Sequence, residues 1–322
     1  MRLKHPLITA FTRPRLVKLL GLPALLLAAS AIAQTAPAAG PNAANAAANT
    51  AAPSPRPGGK LLLTGGVASI DGAAGGGLTP WAVTGSYATE GEFGGTAHAT
   101  RVVTRDYDLA AYGAAFSYGD RIEVSLARQD FDAGAAVPGA KLKLDIAGVK
   151  LRIAGDAIVD SDSWMPQIAV GAEYKHLNPG AAVGGVLDSV SAKRSGVDVY
   201  VSATKLLLAQ GILLSGTLRA TKANQNGLLG FGSVKQNNYR LQPEISIAWL
   251  PRKDLAIGAE YRAKPDNLGF AGAAFREDDW KDVFIAWAPL KWVSLTLAYV
   301  DLGNIVGHKK QTGSYLSAQI AF

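Results

Sequence analysis

Apolar and polar residues alternate one by one along most of the chain beyond residue 60. The clearest case is 239–249, where tyrosine, leucine, proline, isoleucine and tryptophan fall on one face and arginine, glutamine, glutamate and serine on the other. Similar alternation runs through 166–175, 197–204, 212–221, 254–262, 293–300 and 314–322. Because successive side chains of a strand point to opposite faces, this period of two predicts β-strands.

The lengths of these segments and of the links between them point to a membrane barrel. The predicted strands have about 9–13 residues, which is long enough for a tilted strand to cross a bilayer. Strands in general average about five or six residues. The short links lie near 89–92, 118–120, 208–210, 250–253 and 289–291, and they alternate with long ones near 176–194, 222–236, 264–279 and 303–312. The links near 104–106 and 154–163 break this alternation. Short turns at one end and long loops at the other are typical of bacterial outer-membrane barrels.

We therefore predict an all-β fold, an antiparallel transmembrane β-barrel of about 14 strands, with about 12 as the alternative if the weak first segment is not a strand. An even number places both chain ends in the periplasm. All six tryptophans fall near predicted strand ends, where aromatic side chains collect at membrane interfaces. The predicted strands are 60–68, 79–88, 93–104, 107–118, 121–131, 140–153, 164–175, 195–207, 210–221, 237–249, 253–263, 280–288, 291–302 and 312–322.

The start of the chain predicts export and a flexible connection. Residues 1–33 are typical of a secretory signal peptide, because a basic stretch is followed by an apolar run and a small-x-small cleavage pattern before Gln34. Residues 34–59 are mostly alanine, proline, asparagine, threonine and glycine, with almost no large apolar side chain. Such a composition predicts a disordered periplasmic linker. The barrel then occupies 60–322.

Charge and cysteine content exclude two classes of function. Five of the 32 basic residues and none of the 25 acidic ones lie in 1–33, so removal of a signal peptide lowers the formal net charge from +7 to +2. The basic balance is thus a targeting feature, and no nucleic-acid partner is expected. The chain has no cysteine, which excludes disulfides and thiolate chemistry.

Six long motifs resemble one protein family: LTPWAVTGSYAT (78–89), GVDVYVSATKLLL (196–208), LRATKANQNGLLGFG (218–232), LAIGAEYRAKPDNLG (255–269), REDDWKDVFIAWAP (276–289) and VSLTLAYVDLGNIV (293–306). Through them, and over roughly 60–322, the chain resembles a proteobacterial family catalogued as domain of unknown function 3034. The resemblance implies no activity or ligand, and no catalytic residue is carried over from it. The last residue, Phe322, resembles the C-terminal aromatic residue that the barrel-assembly machinery reads in outer-membrane proteins, which makes it a candidate assembly signal.

Side chains that could carry catalysis or bind metal are few. No GxSxG motif occurs, and the histidines beyond the signal lie apart in the sequence, so no enzyme is expected. The acidic run 277–279, with Asp266 and Asn267, could bind calcium, but its spacing does not match an EF-hand loop and a solvated loop is the favoured alternative. We expect no cofactor and no metal. The histidines in question are His98, His176 and His308.

Charged residues fall on predicted inward faces. A charge facing lipid at mid-depth costs about 2–4 kcal/mol, so these residues predict a wet or mutually paired interior. We hypothesise a basic band of Arg219, Arg240 and Arg262 with an acidic band of Glu244, Glu260 and Asp282 below it. The other predicted inward charges are Glu123, Lys141, Lys143, Asp145, Lys150, Arg152, Glu173 and Asp198.

These features favour a passive channel or uptake pore for small polar solutes in the bacterial outer membrane. The alternative is a non-conducting structural or interaction barrel, with an interior closed by ion pairs and outer loops that serve contacts. A plugged or narrow lumen would favour this alternative. The expected partners are outer-membrane lipid and lipopolysaccharide, the barrel-assembly machinery and, for a pore, a small polar solute.

Overall fold

The computed structural model describes residues 59–65, 67–157 and 164–322. The predicted signal peptide (1–33) and the predicted linker as far as residue 58 lie outside these residues. Within the described part of the chain, twelve strands form a closed barrel. They are β1 (Phe93–Thr104), β2 (Asp108–Tyr118), β3 (Ile122–Asp132), β4 (Lys141–Ala154), β5 (Gln167–Asn178), β6 (Ser195–Leu207), β7 (Ile212–Thr221), β8 (Arg240–Arg252), β9 (Leu255–Arg262), β10 (Trp280–Leu290), β11 (Val293–Asp301) and β12 (Thr312–Ala321).

Every strand pairs antiparallel with its neighbours in sequence, and β1 pairs with β12 to close the barrel. The prediction of an antiparallel β-barrel is therefore confirmed. The predicted count of about 14 strands is wrong, and the count among the described residues is the alternative, 12.

The two segments responsible for this difference, 60–68 and 79–88, lie inside the barrel. They belong to residues 60–88, here called the luminal segment, in which every described residue from Leu63 to Ala88 is buried. Its backbone is extended enough to form isolated bridges such as Ala68↔Ala74. A chain packed inside a barrel can alternate like a wall strand, so a period of two does not separate the two cases. The segment reverses at 72–77, where Gly72 has a φ of 97°, a conformation that favours glycine.

The barrel wall is apolar outside and polar inside. Outward-facing Leu126, Leu241 and Leu297 are more than half exposed, whereas inward-facing Gln129 and Ser202 are fully buried. This is the arrangement of strands that face lipid on one side and a polar lumen on the other.

The two ends of the barrel differ. The turn end carries short connections such as 119–121, 208–211, 253–254 and 291–292, and the loop end carries 133–140, 179–194, 222–239, 263–279 and 302–311. The loops contain one helix, α1 (Gly180–Ser189), and 3₁₀ turns at Asn224–Gly227, Gly269–Ala271 and Ala273–Phe275. No helix among the described residues has the length and apolar character needed to cross a membrane.

An apolar cluster fills part of the loop end. Loop residues Tyr107, Leu228 and Ile305 pack with inward-facing strand residues Leu109 and Trp280. The cavity left among them measures about 20 Å³, which is the space of a single water molecule. The loops therefore pack tightly over this part of the lumen.

Candidate functional site

The lumen holds the luminal segment through side chains of the wall, and the first such contact is made by β3 and β4. Glu123 accepts hydrogen bonds from the backbone N–H of Ala74 (3.1 Å) and Gly85 (2.5 Å). Lys150, its partner in the ladder and in an ion pair of 3.1 Å, donates to the carbonyl oxygens of Ala74 (3.0 Å) and Val83 (2.9 Å). One acid–base pair thus binds the luminal segment both at its reversal and in the stretch that follows, through backbone atoms.

The opposite wall repeats this arrangement with two residues of β9. Glu260 accepts hydrogen bonds from the N–H of Leu78 (2.7 Å) and the hydroxyl of Thr79 (2.6 Å). Arg262 donates to the carbonyl oxygen of Leu78 (2.9 Å) and to the carboxylate of Asp71 (2.7 Å). Because charge-assisted hydrogen bonds are the stronger ones, these contacts fix the segment across the full width of the lumen.

Arg219 on β7 is the centre of an ion network. Its guanidinium lies 2.6 Å from Glu244, 2.7 Å from Glu173 and 3.7 Å from Asp198, and it stacks 5.0 Å from the ring centroid of Tyr200. All four of these polar or charged partners are buried. A buried charge is tolerated only when it is paired and hydrogen-bonded, so the arginine and its acids depend on each other.

Lys175 on β5 extends the network to the luminal segment. Its ammonium lies 3.0 Å from Asp198, 3.2 Å from Glu173 and 3.3 Å from Asp71. Asp71 is also the acid that binds Arg262. The luminal segment therefore supplies one of the acids that balance the bases of the wall.

The six residues predicted to form two bands are placed differently from that hypothesis. Arg219, Arg262 and Glu244 meet in the interior, but Arg262 is the ladder partner of Glu244 and so lies level with it. Arg240 is exposed and donates to Gln236 at the loop end. The predicted band of three arginines does not form, because the inward alternation of β8 continues beyond the lumen to the rim and because barrel strands are staggered.

The other two residues of the hypothesis, Glu260 and Asp282, are ladder partners on β9 and β10. Both are buried and inward-facing. Glu260 binds the luminal segment, whereas Oδ1 of Asp282 has no hydrogen-bond partner among the described residues. The acids of the hypothesis therefore belong to two different groups, one around Arg219 and one apart from it.

Three further charged residues face outward, although the alternation of polar and apolar residues predicts the inner face. Lys141, Lys143 and Asp145 of β4 were predicted to face inward, but the buried residues between them are Leu142 and Leu144. Regular pairing with β3 from Lys141 to Leu151 keeps the odd-numbered side chains of β4 outside. That prediction is wrong, because an inward orientation of both Lys141 and Lys150 would need a bulge that the β3–β4 ladder does not contain.

Two members of the network were missed. Lys175 lies two residues after Glu173 and shares its face, so the alternation contained the signal for it. Asp71 lies in a glycine-rich stretch between the predicted segments 60–68 and 79–88. Its partner Arg262 is 191 residues away, so nothing local indicates its role.

A second cluster of charged residues lies at the turn end. The ammonium of Lys60 lies 2.5 Å from Asp120, which also accepts from Arg152 at 2.7 Å, and Arg152 lies 3.1 Å from Asp156. Burial lowers the pKa of Lys60, and the carboxylate of Asp120 opposes this shift. The start of the luminal segment is thus tied to the turns on which the barrel wall ends.

The acidic loop considered for calcium uses its oxygens internally. Both carboxylate oxygens of Glu277 accept from the N–H of Gln225 (2.8 and 2.9 Å), and Lys264 lies 3.6 Å from the same carboxylate. Asp279 accepts from the N–H of Lys264 and the hydroxyl of Tyr261. Gln225 has a φ of 46°, so Glu277 holds the loop in an unfavourable backbone conformation.

Glu277 predicts that the stability of the loops at the loop end depends on pH. Burial raises its pKa to about 7, and the ammonium of Lys264 opposes this shift. Protonation then favours the folded loop, so its stability should be full below pH 4.5, the ordinary pKa of the group, and fall as pH rises through about 7. We expect proteolysis of the loops to be slower at pH 5 than at pH 8, on the order of tenfold. Glu277→Gln should abolish the difference, and Asp188→Asn, in an exposed pair on α1, should keep it. Equal pH dependence in both variants would contradict this role.

The histidines do not form a nucleophile–base pair. His98 is buried inside the barrel, and neither of its ring nitrogens has a hydrogen-bond partner among the described residues. His308 Nδ1 lies 3.0 Å from the hydroxyl of Tyr107 in the loops, and His176 is exposed on β5. Among the described residues, no three His, Cys, Asp or Glu side chains converge as a metal site.

Comparisons with known proteins give one family and several barrels. A family model described as "Protein of unknown function (DUF3034)" matches residues 64–319, and no curated protein matches the chain. The KdgM porin aligns with a TM-score of 0.46 and 10% identity over 70% of this chain and 99% of its own. The COG4313 outer membrane channel from Pseudomonas putida F1 aligns at 0.42 and 12% over 74% and 97%. The outer membrane phospholipase A from Escherichia coli aligns at 0.39 and 10% over 78% and 96%. Likeness at this level carries no argument about activity.

Proposed function

This chain belongs to the DUF3034 family, and because that family is described only as of unknown function, we propose a function for it from the geometry of the lumen. The protein is a non-conducting β-barrel of the bacterial outer membrane, sealed by its own luminal segment, that serves a structural or interaction role. The observation that carries this proposal is the complete burial of the described residues from Leu63 to Ala88. Charged residues of two opposite walls bind them.

The exterior supports an outer-membrane location. An apolar outer face of the wall is matched by exposed aromatic residues at the turn end, among them Phe93, Trp249 and Trp287. Aromatic side chains collect at membrane interfaces. Outward-facing pairs at the loop end, Arg101–Asp108 and Arg128–Asp145, suit contact with the charged headgroups of lipid and lipopolysaccharide.

A second candidate is a pore that opens when the luminal segment leaves. It is supported by one observation: the wall behind the segment is lined with hydroxyl, amide and charged groups, which could replace the segment's hydrogen bonds with water. In that case a passive channel for small polar solutes is the open state of the same molecule. Neither candidate calls for catalysis, and we expect no enzymatic activity.

The conductance of the intact protein tests the proposal. We expect no single-channel steps when the protein is refolded in detergent and added to planar bilayers. The reason is that the luminal segment and the apolar cluster of the loop end fill the lumen. Fractionation of cells should recover the same protein in the outer membrane. Steady conductance of the intact chain would favour the pore, and recovery as a soluble periplasmic protein would exclude both candidates.

Phe322 stays a proposed assembly signal for the barrel-assembly machinery. Its backbone exchanges two hydrogen bonds of 3.0 Å with Gly95, and its side chain is 70% exposed. Deletion should therefore reduce insertion in cells several-fold while detergent refolding stays largely intact. Phe93→Ala, at another largely exposed phenylalanine of the same end, should leave insertion unchanged. Normal surface levels of the shortened chain would argue against the signal.

A further inference from the structure

Glu260 and Asp282 are acids inside the lumen that have no basic partner among the described residues. Glu260 is 4% exposed and Asp282 is 6% exposed, and the two side chains are ladder neighbours on the inner face. Among the described residues, neither carboxylate forms an ion pair within 4.0 Å. By contrast, the acids of the wall around Arg219 and Lys150 each form an ion pair with a base. Two adjacent buried carboxyl groups are stable only if protons or a cation neutralise them.

Three buried oxygen atoms without hydrogen-bond partners lie at this pair, one of them on Asp282 itself. Asp282 Oδ1, Ser246 Oγ and Tyr315 Oη are buried and form no hydrogen bond with the described residues. Ser246 is the ladder partner of Glu260 on β8. Tyr315 reaches the same place, since a Cβ atom on Gly77 would lie 3.4 Å from its Oη and 3.3 Å from Glu260 Oε2. Buried polar groups in native proteins are normally satisfied, so these atoms point to an absent ligand.

We propose that Glu260, Asp282, Ser246 and Tyr315 form a binding site for one calcium ion. The donors are all oxygen, which hard divalent cations prefer, and two carboxylates balance the charge of one such ion. Calcium tolerates irregular geometry and longer bonds, whereas magnesium requires a regular octahedron. Donors that come from four separate strands therefore favour calcium, with water completing its shell. The site is independent of whether the barrel conducts, and it departs from the expectation that the chain binds no metal.

Two glycines of the luminal segment leave space for this site. At Gly76 any Cβ atom would collide with the carboxylate of Glu260. Gly77, beside the same carboxylate, has a φ of 150°, which side chains rarely allow. A bound ion would thus lie between the wall and the reversal of the luminal segment, and Glu260 would bind both.

Thermal unfolding of the refolded full chain tests the site. Relative to EDTA, saturating calcium should raise the midpoint by about 5 °C or more, with a smaller rise for magnesium. Asp282→Asn keeps the shape and removes one charge, and it should abolish the shift. Asp278→Asn, the same substitution in an exposed loop residue, should keep it. Terbium bound in place of calcium should show emission sensitised by Tyr315, and Tyr315→Phe should remove most of that emission.

Three outcomes would overturn the proposal. One is a midpoint that does not respond to calcium in the unchanged protein. Another is a calcium shift, or terbium emission, that persists in both Asp282→Asn and Tyr315→Phe, because the ion would then bind elsewhere. The third is insensitivity to calcium together with a midpoint that rises as pH falls from 8 to 5 and loses this dependence in Asp282→Asn, because the pair would then hold protons instead of a metal. If Asp282→Asn does not refold, the terbium emission of Tyr315→Phe decides.

Discussion

Replacing Arg219 by methionine should lower the free energy of unfolding of the barrel by about 3–5 kcal/mol, the usual loss when one partner of a buried ion pair is removed. The guanidinium binds Glu244 and Glu173 directly and lies 3.7 Å from Asp198. Without it, the ion pair left to Glu244 among the described residues is the longer contact with Arg262, at 3.5 Å. Methionine fills a similar volume, so the loss would report the charges and not a cavity.

Arg240→Met is the matched control for this experiment. Arg240 on the neighbouring strand is exposed, and its side chain donates to Gln236 and forms no ion pair with the described residues, so its replacement should cause no measurable change. Urea titration of the refolded protein, followed by the mobility of folded and unfolded forms on gels, measures both variants. Equal losses for the two arginines would mean that the network around Arg219 does not hold the lumen together.

Deleting residues 60–88 should turn a silent barrel into a conducting one. The deletion removes the backbone groups that occupy Glu123, Lys150, Glu260 and Arg262, and water can take their place in a polar lumen. The buried wall charges would then line a passage with six acids against four bases, so cations should be preferred. This reverses the anionic preference that a basic band of arginines would confer. The acids are Glu123, Glu173, Asp198, Glu244, Glu260 and Asp282, and the bases are Lys150, Lys175, Arg219 and Arg262.

A peptide supplies the control for the deletion. A synthetic peptide of residues 60–88 added to the turn end should block the conductance, and a scrambled peptide of the same composition should not. If the deletion variant refolds and inserts but shows no conductance, the apolar cluster at the loop end is enough to close the lumen. Conductance blocked equally by both peptides would mean that the block is not specific to the segment.

Much of the wall could be predicted from alternation, because a strand between lipid and a polar lumen has to change polarity at each residue. The predicted segments 93–104 and 312–322, for example, agree with β1 and β12 within one residue. The same rule fails at 60–68 and 79–88, since burial on all sides imposes no lipid-facing side. Alternation reports which face a residue is on, and not what that face touches.

The levels of residues in the lumen could not be predicted for a related reason. A period of two places Arg219, Arg240 and Arg262 on inward faces, but their heights depend on the stagger between strands. That stagger is fixed by pairings such as Glu244↔Arg262, which no local pattern contains. Contacts between the wall and the luminal segment span up to 191 residues, so they follow only from the closed barrel.

The position of the luminal segment constrains the order of events in folding. The segment precedes β1 in the chain, yet it lies within a ring that closes only when β1 meets β12. A continuous ladder of hydrogen bonds gives no lateral exit, so the segment must be in place before this seam forms or thread in afterwards along the axis. Early placement would let Glu123 and Lys150, near the start of the wall, bind the segment while β12 is still being delivered. The seam would then be the step that traps the segment, and a chain with a weakened segment should close more slowly or around an empty, hydrated interior.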